Sequence, residues 1–264
     1  MLVDGKEIAD EIKSQLAGRS RALGRRLVLA VVEVGSDPVT EKFVERKKKF
    51  GEAVGVEVVS HQFPQGVTEE VLAAEVRTIG ADPSTSGIIV QLPLPLEINT
   101  DMVIACIPPE KDVDALGSAP RVLAPVAGAV AEIFSRSGIH LRGKRAVVIG
   151  HGRLVGKPVA DWLTREGAVV DIVSFETREQ MRFLSKRADI VVSGAGVPRL
   201  VTPELLKEGV VLVDAGTSES EGKLVGDIDP RCMEKAALYT PVPGGVGPIT
   251  VAVLFRNLLE LASG

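Results

Sequence analysis

The chain has 264 residues, 45% apolar, 25% charged and only 3% aromatic, with a net charge of −4. That length and ordinary globular composition fit one large or two modest α/β domains, with a core of Val, Leu, Ile and Ala. Both signs of charge are mixed along the chain, and the one basic run, Arg46-Lys47-Lys48-Lys49, sits among acidic neighbours, so no footprint for nucleic acid or an anionic membrane is expected.

No stretch approaches the roughly 18 uninterrupted apolar residues of a membrane span. The N-terminus MLVDGKEIADEIK lacks the basic start and apolar run of a signal peptide, so a cytoplasmic location is expected. Cys106 and Cys232 lie far apart with no CxxC spacing and read as small buried hydrophobes. His61, His140 and His151 show neither HxxxH nor HExxH spacing, so no metal is expected.

In chain order, residues 27–34 form the first expected strand. A helix over 37–54 follows, with Asp37 as N-cap, Pro38 at the first helical position and Gly55 at the C-terminal cap. Phe43 and Lys47 are four apart on it and share a face. Such a pair can stack a flat ligand beneath an ammonium, or be a core Phe beside a snorkelling Lys; periodicity alone favours the second. A strand over 56–60, a helix over 68–78 and a strand over 87–91 complete the first set. Gln91-Leu92-Pro93-Leu94-Pro95 leaves the carboxyl end of that third strand, where parallel sheets bind ligands. Lys111-Asp112-Val113-Asp114 falls in the loop-rich stretch 108–125, the expected domain junction.

A second set of strands is expected over 145–149, 169–173, 189–193 and 210–214, with helices over 156–165, 178–186 and 203–207. Strand–helix alternation of this kind argues parallel sheets covered on both faces. After the first of these strands comes Gly150-His151-Gly152-Arg153-Leu154-Val155-Gly156, and then a helix with Pro158 in its first turn. Glycines let a backbone approach a pyrophosphate, and the helix N-terminus offers free N–H groups. The alternative is a tight strand–helix turn with no ligand; the complete βαβ context favours the dinucleotide. Glu176, at the end of the next strand, can accept hydrogen bonds from an adenosine ribose or be a solvated loop carboxylate. The chain ends with TPVPGGVGP and an apolar helix over 249–261 that can return to the first domain.

In combination these residues resemble the methylenetetrahydrofolate dehydrogenase/cyclohydrolase family nearly end to end. The resemblance rests on Val3-Asp4-Gly5, Val34-Gly35, Lys47 with Lys49, Gln91-Leu92-Pro93-Leu94-Pro95, Lys111-Asp112-Val113-Asp114 and Val155-Gly156-Lys157-Pro158. Asp214-Ala215-Gly216 and Gly226-Asp227 add to it, and the most specific piece is 240–248, TPVPGGVGP, followed by Thr250. It implies an α/β fold of two domains: a folate-binding catalytic domain over 1–118 plus 241–264, and a Rossmann-like NAD(P) domain over 119–240. The implied reactions are oxidation of 5,10-methylenetetrahydrofolate to the methenyl form with NAD(P)+, and its hydrolysis to 10-formyltetrahydrofolate.

The resemblance makes Lys47, Gln91 and Asp114 catalytic. It places Phe43, Val90, Leu92 and Pro93 against the folate, together with Pro243, Gly244 and Gly245. For the cofactor it implies Gly150, His151, Gly152, Arg153, Val155 and Gly156. Ser174, Phe175, Glu176 and Thr177 would flank the adenosine, and Gly194, Ala195, Gly196, Asp214, Gly216 and Thr217 would close the site. A homodimer without metal is implied as well. Departures from the family pattern are Phe43 for the usual Tyr, Ala115 for Gly, His151-Gly152 for Arg-Ser and Ser174 for His. Phe43 bears on the cyclohydrolase step, whereas His151 and the stretch Ser174-Phe175-Glu176-Thr177 favour NAD over NADP, because a carboxylate suits a ribose 2′-hydroxyl and repels a 2′-phosphate. Competing readings are a dehydrogenase that has lost most hydrolysis, a related dehydrogenase acting on a small acid, and a non-catalytic folate- or nucleotide-binding protein.

Overall fold

A computed structural model of the protein describes residues 1–36, 38–220 and 223–264, with backbone alone at 38, 39 and 220. The expected N-cap Asp37 lies outside the described residues. Two compact units emerge, one of Asp10–Pro125 with Val251–Gly264, the other of Met1–Ala9 with Val126–Thr250.

Helix α1 (Gly5–Leu23) buries Ala9, Ile12 and Leu16. The first unit continues through β1 (Leu27–Val34), α2 (Pro38–Val54), β2 (Val56–Phe63), α3 (Glu69–Ala81), β3 (Gly87–Val90) and α4 (Thr100–Ile104). Its three strands are parallel, in the order β2-β1-β3. Strand β1 is apolar at almost every position and buried along its length, as a central parallel strand covered on both faces must be. Strand β2 runs past the expected end at Ser60 because its pairing with β1 continues to Val34↔Phe63. Ala30, Val32, Val76, Ile79, Ile88 and Val90 make one core under β1, β3 and α3. Thr68 caps α3 by accepting the Val71 N–H, and Lys111 Nζ donates to Gly80 O and Asp82 O, both at 2.7 Å, at its other end. A further parallel bridge, Ile88↔Asp112, lays the 111–114 segment beside β3.

The second unit runs through α5 (Pro125–Arg136), β4 (Arg145–Ile149), α6 (Gly156–Arg165), β5 (Val169–Val173), α7 (Met181–Ser185), β6 (Ile190–Ser193) and β7 (Val210–Asp214). A hairpin of β8 (Ser218–Ser220) and β9 (Lys223–Val225) and a last strand β10 (Ala236–Tyr239) precede α8 (Val246–Ser263). The five-stranded sheet is parallel, in the order β10-β7-β6-β4-β5. Two expected helices are shorter than the sequence suggested. Residues 178–186 make a 3₁₀ turn (Arg178–Gln180) and then α7, which buries only Ser185 and so has little packing to extend it. Residues 203–207 make only a 3₁₀ turn, because Leu206 adopts extended backbone and sinks its side chain into the core, 4% exposed. Cys232 is buried as expected, whereas Cys106 is only half-buried.

Helix α8 is long and apolar enough to cross a membrane by length and composition alone, and half of it is buried inside the protein. From Val251 onward it belongs to the first unit. There Phe255 stacks on Phe50 with ring centroids 5.1 Å apart. Asn257 Nδ2 donates to Val113 O at 2.9 Å and Leu123 O at 2.8 Å. The last helix thus returns to the first strand set and pins the segment that carries Asp114.

Candidate active site and dinucleotide-binding turn

Three of the expected residues meet within the first unit. Helix α2 presents Lys47, and the carboxyl end of β3 presents Gln91; Lys47 Nζ donates to Gln91 Oε1 at 2.7 Å. Gln91 Nε2 donates onward to Leu92 O at 3.2 Å, which orients the amide so that its oxygen faces the lysine. Burial holds the Lys47 pKa below the ordinary lysine value, although Asp114 and Glu33 pull it upward. Asp114 is half-buried as a residue, yet burial pushes its carboxyl up to about 6, with Lys47 pulling it down and Asp112 raising it further. A desolvated lysine beside a carboxylate of raised pKa is an arrangement that can take up and return a proton near neutrality.

The turn that carries Asp114 is held from beneath. Asp112 is 2% exposed and its Oδ2 accepts the Gly117 N–H at 2.7 Å. Ala115 lies between them with a φ of 54°, a left-handed conformation that glycine adopts without the Cβ penalty. Phe43 is half-buried one turn before Lys47, with the Arg46 guanidinium 5.6 Å from its ring centroid. Val90 is buried at the end of β3, Leu92 is half-buried and Pro93 is exposed. Glu33 escaped the sequence reading, and Asp112 was quoted there only within its motif, without a role. Glu33 interrupts the apolar run of β1 one residue before its end, and that interruption was the available signal.

The expected glycine turn occupies the second unit. Gly150 leaves β4 with a φ of 93°, and a Cβ there would stand 2.7 Å from Gly194 O. A Cβ on Gly156, the first residue of α6, would stand 2.0 Å from Gly150 O. Between them His151, Gly152 and Arg153 are exposed and Val155 is half-buried. No side chain caps α6. The backbone therefore forms a cradle that side chains would fill, open at a helix N-terminus, and it fits a dinucleotide pyrophosphate.

After β5, Ser174 Oγ donates to Glu176 Oε2 at 2.5 Å and Ser174 N to Thr177 Oγ1 at 3.0 Å. The serine hydroxyl holds the Glu176 carboxyl below its ordinary value. Phe175 is 79% exposed, with Arg178 lying 5.1 Å from its centroid. Gly194, Ala195 and Gly196 follow β6 beside the glycine turn. After β7, Thr217 is exposed, but Asp214 is 1% exposed and turned inward. Asp214 Oδ1 accepts from Gly216 N and Asp227 N, and Oδ2 from Ile228 N at 2.8 Å.

Pro243, Gly244 and Gly245 also lie in the second unit, where Gly5 packs on them. Gly5 N donates to Gly244 O at 2.8 Å, and a Cβ on Gly5 would stand 1.8 Å from Gly245 O. This contact explains the Val3-Asp4-Gly5 motif, which the sequence reading quoted without a role.

Parallel sheets, a glycine turn opening a helix, and a desolvated lysine beside an amide and a carboxylate define a two-unit α/β enzyme with a dinucleotide-binding half. Residues 3–114 match the family model for the tetrahydrofolate dehydrogenase/cyclohydrolase catalytic domain, and residues 124–264 that for its NAD(P)-binding domain. A bifunctional protein FolD of Nautilia profundicola is 38% identical over 275 residues, spanning 99% of this chain and 96% of its own. The crystal structure of the bifunctional enzyme FolD from Campylobacter jejuni superposes with a TM-score of 0.95 at 33% identity, covering 100% of this chain and 98% of that one. The Trypanosoma brucei methylenetetrahydrofolate dehydrogenase-cyclohydrolase, complexed with NADP and an inhibitor, gives 0.95 at 35% identity, covering 100% and 97%. The chain belongs to the tetrahydrofolate dehydrogenase/cyclohydrolase family.

Proposed function

We propose that the protein oxidises 5,10-methylenetetrahydrofolate to 5,10-methenyltetrahydrofolate with NAD(P)+ and hydrolyses the product to 10-formyltetrahydrofolate. The observation that carries this reading is the 2.7 Å Lys47–Gln91 hydrogen bond beside the raised carboxyl of Asp114. Oxidation asks chiefly that two flat rings be oriented, since the folate nitrogen lone pair expels the hydride. NAD(P)+, when bound, accepts that hydride. Phe43 stacks on the pterin, Val90, Leu92 and Pro93 form the wall beside it, and Pro243, Gly244 and Gly245 complete substrate binding. Asp114 accepts hydrogen bonds from the pterin amino edge.

Hydrolysis needs proton traffic. Water adds to the amidinium-type carbon, and neutral Lys47 takes the proton that the water releases. The same proton returns to the ring nitrogen as its C–N bond breaks, and the carbinol O–H gives its own proton to solvent as the formyl C=O forms, so the hydrolysis releases one net proton. Gln91 keeps the lysine head aimed, and burial lowers the lysine pKa, which favours the neutral form the step needs. Phe43 favours a second reading, a dehydrogenase with weakened hydrolysis, because its ring carries no hydroxyl. Phe43→Tyr is therefore expected to raise cyclohydrolase more than dehydrogenase activity; equal or absent changes in both rates contradict it.

On the cofactor side Gly150, Gly152, Val155 and Gly156 line the pyrophosphate cradle, with His151 and Arg153 at its rim. Ser174, Phe175, Glu176 and Thr177 meet the adenosine. Gly194, Ala195, Gly196, Gly216 and Thr217 close the far side, with Asp214 acting through the backbone it holds. NAD is favoured over NADP: Glu176 accepts from a 2′-hydroxyl and repels a 2′-phosphate, and His151 replaces a permanent cation. Comparing kcat/KM for NAD+ and NADP+ in the wild type and Glu176→Gln tests this. The expected result is an NAD+ preference that narrows in the variant; an NADP+ preference untouched by it contradicts the role of Glu176.

By function the folate-binding domain comprises 1–118 plus 241–264 and the dinucleotide domain 119–240, although residues 1–9 and 241–250 pack into the same compact unit as the dinucleotide domain. The enzyme works in the cytoplasm as a homodimer and needs no metal, nucleic acid or membrane. The direct test of function is spectrophotometric. Methylenetetrahydrofolate and NAD(P)+ are expected to yield the methenyl absorbance and then its enzyme-dependent decay; no methenyl formation with either cofactor overturns the reading.

A further inference from the structure

We infer that Asp227 is a positioning residue for dinucleotide binding, a carboxylate that shapes the loop after β6 and through it the glycine turn. The inference rests on the dinucleotide reading above. Asp227 is fully buried, 0% exposed, at the centre of four donors. Its Oδ2 accepts from Ser193 Oγ at 2.8 Å, Ala195 N at 2.7 Å and Gly196 N at 3.2 Å, and its Oδ1 accepts from Val197 N at 2.8 Å. Three consecutive backbone N–H groups converging on one carboxylate dictate the course of residues 195–197. A buried carboxylate is tolerated only when its lone pairs are satisfied in this way.

The loop so shaped is one wall of the cradle. Gly194 N donates to Ile149 O at 2.9 Å, so the loop leaves the sheet beside the strand that feeds the glycine turn. A Cβ on Gly150 would meet Gly194 O at 2.7 Å and Ala195 Cα at 3.0 Å, and one on Gly194 would meet Val155 Cγ1 at 2.2 Å. The loop and the turn therefore pack with no space for a methyl group, and a shift in one displaces the other.

Asp214 extends the same scaffold. It accepts the Asp227 N–H at 3.1 Å, and its own N–H donates to Thr240 Oγ1 at 2.7 Å, at the start of the TPVPGG segment. Space for the two carboxylates exists because their neighbours are glycines: a Cβ on Gly216 would lie 2.2 Å from the Asp227 carboxyl, and one on Gly226 2.0 Å from Asp214 Oδ2. The residues named in this network all belong to the second unit, and Lys47, Gln91 and Asp114 to the first.

Two variants and two readouts test the inference: Asp227→Asn and Ser193→Ala, with dinucleotide affinity by direct titration of NAD+ and NADP+, and steady-state KM for dinucleotide and for methylenetetrahydrofolate. Asp227→Asn turns an amide toward the converging N–H groups and is expected to weaken dinucleotide binding tenfold or more while the folate KM changes by a clearly smaller factor. Ser193→Ala removes one donor and is expected to weaken it two- to fivefold with the same split. A folded Asp227→Asn protein of lowered melting temperature but unchanged dinucleotide affinity overturns the inference, since Asp227 is then only a stabilising group. If Asp227→Asn does not fold, Ser193→Ala decides: unchanged dinucleotide affinity overturns it, and a selective loss supports it. A wild type that binds dinucleotide without reducing it defeats the functional reading alone. A wild type that binds none overturns both.

Discussion

Asp114 shows how a single residue links burial to chemistry. Its carboxyl is raised from an ordinary 3.8 to about 6 by burial, with Lys47 opposing and Asp112 adding to the shift. Because the folded value lies above the unfolded one, the folded protein holds the extra proton between about pH 4 and pH 6. Stability contributed by the protonated group is therefore complete below that window and lost as pH rises through about 6. In the role proposed for Asp114, folate binding runs the other way, since the ionised carboxylate is the better acceptor for a pterin amino edge. Folate affinity is expected to strengthen as pH rises through about 6 and to become flat there in Asp114→Asn, which melts with less pH dependence than the wild type. Folate titrations and thermal melts across pH 5–7.5 check both; a wild-type folate affinity that is flat across the window contradicts the role given to Asp114. Lys47 was legible in the sequence by its match to the family motif. Its hydrogen bond to Gln91 was not, because the two are 44 residues apart and no local period connects them.

At the level of elements, the buried parallel strands were the clearest features in the sequence. The runs 145–149 and 210–214 were read at their observed limits, because a strand covered on both faces is apolar at nearly every position; the edge strand 169–173 was read at its limits from its β-branched run, although most of it is partly exposed. Helix α1 was missed although Ala9, Ile12 and Leu16 are buried at helical spacing. Helix α5 was missed as well: PVAGAVAEIFSR follows the loop-rich stretch 108–125 directly and carries an interior glycine, Gly128, which reads as a continuation of the junction. The docking of α8 on the Asp114 segment rests on Asn257, 3% exposed, whose amide serves one buried and one part-buried carbonyl. Asn257→Ala leaves both acceptors without that donor and is expected to cost about 2 kcal/mol, from a typical ~1–3 kcal/mol for an unsatisfied buried polar group. Denaturant unfolding of the variant measures it; a loss below about 0.5 kcal/mol means that the two bonds contribute little net stability.

Over the whole molecule, each unit takes in one end of the chain, residues 1–9 joining 126–250 and residues 251–264 joining 10–125. The return of the last helix was an expectation from family resemblance rather than from its periodicity, because α8 is apolar around most of its circumference and no single face identifies its partner. The two units also divide the chemistry: the lysine, amide and carboxylate belong to one, the glycine turn and its carboxylate scaffold to the other. That division predicts that the two reactions separate on mutation of Lys47, since oxidation depends on ring orientation and hydrolysis on a proton carrier. The most direct measurement is the methenyltetrahydrofolate absorbance trace of Lys47→Met supplied with methylenetetrahydrofolate and NAD(P)+, read beside a thermal melt. The account predicts a folded protein in which the methenyl signal forms and persists, its hydrolysis reduced about 10²–10⁴-fold, the usual range for a general acid–base group. A folded Lys47→Met protein that clears the methenyl signal at the wild-type rate would contradict it.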